Sequence, residues 1–97
     1  LGRPLPADAD ALLARLRADA AGRLGVEADA LEVVRAESVP WDDGSLGCPQ
    51  PGAMYTQALE PGYQVVLQAG DRQLDYRVRR GGYFFVCEAA REKGLPR

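Results

Sequence analysis

Three short stretches in the second half of the chain limit its fold more than anything else in the sequence. Tyr63, Val65 and Leu67 alternate with Gln64, Val66 and Gln68, and Leu74, Tyr76 and Val78 alternate with Gln73, Asp75, Arg77 and Arg79. A period of two puts successive side chains on opposite faces, the pattern of a half-buried strand. Ala69-Gly70-Asp71-Arg72 between them is a tight-turn signal. Arg80-Gly81-Gly82 supplies a second turn before Tyr83-Phe84-Phe85-Val86-Cys87. No helix separates these strands, so parallel crossovers are unnecessary and an antiparallel meander over 62–87 follows. The first hairpin is expected to have one wet face. The last strand is apolar on both sides, which predicts a central strand or one with a partner on each face.

The first half adds one helix and one strand. From Asp8 to Leu24, Leu12, Leu13, Leu16, Ala20 and Leu24 fall on one face at helical spacing, with Arg15, Arg17, Asp19 and Arg23 on much of the remainder. Asp8 or Asp10 is expected to cap the N-terminus, and Gly25 to end the helix in the left-handed conformation with Val26 folded back on the last turn. Glu27–Ala30 reads as a short connection. Residues 31–39 read as a strand, Leu31, Val33 and Val39 on one face and Val34 and Ala36 on the other, until Pro40 stops it or places it at an edge. Trp41 is expected to pack on the core with its indole N–H bonded. Pro61-Gly62 reads as a turn. Residues 1–7 and 88–97 read as tails. The expectation is a single α+β domain: an N-terminal amphipathic helix packed on a four-stranded, mainly antiparallel sheet. Its core should include Leu13, Leu16, Leu24, Val33, Trp41, Val65, Leu67, Tyr76, Val78 and Phe85.

Composition removes most chemistry. The 97 residues contain no histidine and two cysteines, and carry a net charge of −2. Without histidine there is no histidine-dependent triad, and most zinc and copper sites are excluded. The basic cluster Arg72, Arg77, Arg79 and Arg80 is offset by acidic residues elsewhere, so it reads as a solvated strand face. Nothing suggests a nucleic-acid binder. No apolar run approaches a membrane span. Leu1–Pro6 has neither an initiator Met nor the apolar core of a signal peptide, which reads as a processed or trimmed chain. Cys48 and Cys87 are not a CxxC pair; they form either a long-range disulfide or two buried thiols, according to compartment.

The connection over 42–60, roughly nineteen residues, exceeds the length at which structureless loops become uncommon in compact domains. It is not a linker by composition. Asp43-Gly44 is a turn pair, Leu46, Met54, Tyr55 and Leu59 are apolar anchors, and Pro49 and Pro51 stiffen the backbone. Specific motifs fail one by one. Pro49-Gln50-Pro51 has the wrong spacing for a PxxP ligand. Asp42, Asp43 and Ser45 lack the bidentate Glu of a calcium loop. Cys48 has no histidine to activate it as a nucleophile. Gly44–Gly52 lacks the lysine and following helix of a phosphate cradle. Asp42 and Asp43 are adjacent rather than fixed across a cleft. What survives is a preorganised loop that completes the core or docks on a partner. The candidate binding residues are Cys48, Pro49, Gln50, Pro51, Met54, Tyr55 and Gln57.

Ser38-Val39-Pro40-Trp41-Asp42-Asp43-Gly44-Ser45-Leu46-Gly47-Cys48-Pro49-Gln50-Pro51-Gly52, Met54-Tyr55-Thr56-Gln57-Ala58-Leu59, Pro61-Gly62-Tyr63 and Val65-Val66-Leu67 resemble a family of small uncharacterised bacterial proteins. The resemblance runs from about Gly25 to Cys87. Related sequences occur in exported proteins and lipoproteins, and that setting implies a Cys48–Cys87 disulfide and an exported protein: periplasmic, extracellular or surface-anchored. Family members carry a histidine after the tyrosine of the third strand. Here Arg77 follows Tyr76, so no metal or acid–base role is carried over to that position. The expectation is a non-enzymatic domain, without metal or cofactor, that binds a protein or cell-envelope component through loop 42–60. One alternative is a protease inhibitor presenting 49–56. Another is a structural appendage of an envelope protein.

Overall fold

The computed structural model describes residues 3–4 and 9–87. One helix packs on an antiparallel sheet in the order β1-β2-β3-β4-β5, an α+β fold. The elements are β1 (Arg3–Pro4), α1 (Asp10–Leu24), a 3-10 turn (Ala28–Ala30), β2 (Glu32–Trp41), β3 (Glu60–Ala69), β4 (Arg72–Arg79) and β5 (Phe84–Val86). β2 to β5 are the expected four strands. β1 adds a two-residue edge, pairing Arg3 with Ser38 and Pro4 with Glu37 in part of the stretch expected to be a loose tail. The expected C-terminal tail lies outside the described residues.

Helix α1 buries Leu16 and Ala20, with Leu12, Leu13, Ala21 and Leu24 packed around them, so the apolar stripe read from the sequence is the face that meets the sheet. Against it stand Val65, Leu67, Leu74, Tyr76, Val78 and Val86. Gly25 ends the helix at φ 69°, and the Gly25 and Val26 amides both donate to Ala21 O, a glycine-based C-cap. The expected aspartate cap is absent. Ala9 occupies the N-cap position without a side-chain bond, Asp10 is already helical, and Asp8 is outside the described residues. Polar ties also join helix to sheet: Arg72 Nη2 of β4 donates to Leu24 O at 3.2 Å, and a shorter pair of bonds converges on Asp19. The Tyr76 hydroxyl donates to Asp19 Oδ2 at 2.6 Å, and Arg23 Nε donates to the same oxygen at 2.6 Å. Burial pulls the Asp19 carboxyl upward, but the bonds from Tyr76 and Arg23 outweigh it and leave it below its ordinary range. Burial first, then the bond to Asp19, pushes the Tyr76 phenol above its usual value.

β2 departs from the expected strand in two ways. It runs through Pro40 to Trp41, because β1 covers its outer side only at Glu37 and Ser38 and a residue without an N–H is tolerated along that edge. The register also slips between Val33 and Arg35, a bulge that inserts Val34. The alternation therefore inverts. Ala36 faces the helix with Val65, whereas Val39 and Trp41 share the opposite face with Gly62 and Glu60. Val33, expected in the core, is 38% exposed. Pro61 and Gly62 form no turn but lie within β3, paired with Pro40 and Val39. Gly62 is required there, since a Cβ would overlap Val78 O and crowd the Trp41 indole.

β5 is an edge strand among the described residues rather than a central one, and its apolar character on both sides comes from its two coverings. Phe84 and Val86 pair with Val78 and Tyr76 on the helix face, while Phe85 pairs with Arg77 on the other. Phe84 meets the Tyr76 ring edge-on at 5.6 Å. Of the two aromatic residues expected in the core that belong to this second face, Trp41 is buried there and Phe85 is half-buried.

Candidate binding loop and cleft

The connection from β2 to β3 spans residues 42–59 and folds over the sheet face opposite α1. The face expected to be wet is covered. Leu46 is fully buried, as nearly are Ser45 and Cys48, and Arg77 beneath them is only 8% exposed. Arg77 was expected on a solvated basic face. It is instead the post on which the loop rests, because an arginine can bury its stem and satisfy its fork locally. Its Nε and Nη2 pair with both oxygens of Asp75 at 3.0 and 2.9 Å, and Nη1 donates to Leu46 O at 2.9 Å. Gln64 Nε2 supplies a further bond to Asp75 Oδ1 at 3.0 Å. The Trp41 ring stacks on the guanidinium at 5.1 Å, with its own N–H directed to Val78 O at 3.3 Å.

Local chemistry bends the loop onto this post. The Asp43 carboxylate accepts the Ser45 hydroxyl at 2.6 Å and the Ser45 amide at 2.9 Å, an Asx turn that also holds the Asp43 carboxyl below its ordinary range. Leu46 (φ 56°) and Gly47 (φ 72°) follow in left-handed conformation. A Cβ at Gly47 would stand 2.9 Å from both Arg77 Nη1 and the Trp41 ring, so only glycine lets the backbone lie against that stack. Gly44 N donates to Thr56 O at 3.0 Å and closes the loop at its neck. Cys48 is bonded to Cys87, just beyond β5, across 39 positions of sequence.

The candidate residues divide between a buried base and an exposed rim. Cys48 belongs to the base. Pro49, Gln50, Pro51, Met54 and Gln57 are exposed, Met54 at 93%, and Tyr55 is half-buried. Tyr55 braces the rim by accepting the Gln50 amide on its hydroxyl at 2.9 Å, while Gln50 Nε2 donates to Cys48 O at 3.3 Å. Between rim and sheet lies an open cleft of about 550 Å³, lined by Ser45, Cys48, Gln50 and Tyr55 from the loop and by Arg79, Tyr83 and Phe85 from the β4–β5 hairpin. The hairpin wall is missing from the candidate residues read from sequence. Its signal was the shared parity of Arg77, Arg79 and Phe85 once a Cys48–Cys87 bond draws the loop across them.

Among the described residues, no group of three or more His, Cys, Asp or Glu side chains is placed to hold a metal ion. No helix among them is long and apolar enough to cross a membrane. No curated protein and no solved structure matches the chain. A family model described as a domain of unknown function, DUF8738, matches residues 13–87, from the first turns of α1 to the second cysteine. The chain belongs to that family.

Proposed function

We propose that this DUF8738 domain is a non-enzymatic binding module whose loop 42–59 recognises a protein or cell-envelope component outside the reducing cytosol. The observation that carries this reading is the contrast within one loop. Its base is held by the disulfide, the Arg77 fork and the Asp43 turn, while its rim holds Met54 in solvent. A rim fixed before binding loses little entropy when a partner arrives. An exposed methionine offers adaptable apolar contact. The disulfide favours an oxidising compartment, which supports an exported setting.

Affinity capture from culture supernatant and envelope extract, with wild type beside Met54→Asp and Tyr55→Asp, tests the proposal. A partner retained by wild type and lost by both variants supports it; identical partners on all three would sink it. A second reading, a protease inhibitor presenting 49–56, draws on the same exposed Met54 beside a disulfide. It requires stoichiometric inhibition of at least one secreted serine, cysteine or metalloprotease, weakened by Met54→Asp.

A further inference from the structure

The cleft behind the rim has a chemistry of its own. Arg79 stands at the end of β4, with its guanidinium 5.4 Å over the Tyr83 ring. Its Nε is buried without a hydrogen-bond partner, and the Glu60 carboxylate, at 3.5 Å, stands only loosely beside it. Among the described residues, Arg79 makes no side-chain hydrogen bond. Arg77, two residues earlier on the same face, uses its whole fork on Asp75 and Leu46. The contrast matters because an arginine fork is built to grip a carboxylate with two parallel bonds. Beside this loosely ion-paired fork, which makes no hydrogen bond to the described residues, lie the rings of Tyr83 and Phe85, 6.1 Å apart and tilted by 38°, with half-buried Tyr55 on the loop wall.

We propose that this cleft binds the C-terminal residue of a partner polypeptide, its free carboxylate on Arg79 and its apolar side chain between Tyr55 and the Tyr83–Phe85 wall. The inference rests on reading the loop as a binding element, and it names what the loop would bind. A terminal residue suits the cleft better than an Asp or Glu side chain. Its carboxylate and its apolar group branch from one Cα, as the fork and the rings stand side by side here. A volume of about 550 Å³ is within the range of ligand sites. The cleft is partly open to solvent, which gives the rest of the partner chain room to leave it. Gln50, with its amide nitrogen directed to Cys48 O, keeps a side-chain oxygen that can accept a peptide N–H.

The test uses the disulfide-bonded domain and N-acetylated tetrapeptides ending in Phe, Leu or Val, each as free acid and as C-terminal amide, titrated by amide-resolved NMR. The free acids are expected to bind at least about tenfold tighter than the amides, since the charge-assisted fork is lost with the carboxylate. They should shift the amides of Ser45, Gln50, Arg79 and Tyr83. Arg79→Gln should abolish the preference, while Arg80→Gln, at an exposed neighbour, should preserve it. Equal binding of acid and amide to the wild-type domain, or no binding of either, overturns the proposal without reference to how any variant folds. So does an Arg79→Gln domain that keeps the preference. If partner capture depends on Met54 while acid and amide peptides bind equally, the cleft inference fails and the binding-module reading stands.

Discussion

Single residues in this domain act through where a neighbour leaves no room or no alternative partner. Gly62→Ala and Gly52→Ala make the comparison direct. A Cβ at Gly62 would overlap the Val78 carbonyl and crowd the Trp41 indole, while Gly52 (φ 78°) has nothing within 4 Å. The first substitution should cost about 3 kcal/mol or more, by overpacking that the paired backbone cannot relieve. The second should cost only the left-handed strain of about 1–2 kcal/mol. Urea unfolding followed by Trp41 fluorescence measures both. Tyr76→Phe removes the hydroxyl that binds Asp19, with an expected loss of about 1–2 kcal/mol near neutral pH. The sign of its pH dependence follows from the direction of the Asp19 shift. The Asp19 carboxyl is held below its ordinary value of 3.8 in the folded state, so the unfolded chain takes up the proton first. Its stabilising contribution is present above that value and is lost as pH falls through the lowered one. The gap between wild type and Tyr76→Phe should therefore narrow in acid, and a gap that widens below pH 3 would contradict the assignment.

Elements here are joined by a few strong ties, most of them on the loop. Arg77→Lys keeps the charge but cannot reach Asp75 and Leu46 O together, so it should cost about 2 kcal/mol or more. Amide shifts should concentrate at 44–48, where the loop loses its post. Removing the cross-link by Cys48→Ala with Cys87→Ala should cost about 4 kcal/mol, from the chain entropy released by a loop of 39 positions. Hydrogen exchange in that variant should then quicken at the backbone amides of positions 46 and 48 before it does at Val65 or Tyr76. Exchange that accelerates equally at all four would show that the loop is no separate unit. The strands of the meander were legible in the sequence because their alternation is a local signal with glycines at both turns. The bulge at Val34 was not. Nothing in Leu31–Val39 marks which residue is extra, since only pairing with β3 decides it.

At the scale of the whole molecule the sheet is covered on both faces, by α1 on one and by the loop on the other. The two layers share β3, β4 and β5, so they should unfold together. Leu16→Ala and Leu46→Ala, each removing a fully buried leucine from a different layer, should each cost about 2–5 kcal/mol. Both should shift far-UV dichroism and Trp41 fluorescence to the same midpoint. Two separated transitions would mean that the layers are independent. Sequence alone determined the helix and its inward stripe, the meander, the Gly25 cap and the ordered character of the long connection. Each rests on neighbours within a few residues, where periodicity and turn chemistry act. The cross-link stayed open between a bond and two thiols until the fold brought Cys48 and Cys87 together. Only the tertiary structure decided which face the loop would cover. Arg77, Arg79 and Phe85 gained their roles at that step, because burial of a charge or a ring depends on what lies above it and not on the strand that carries it.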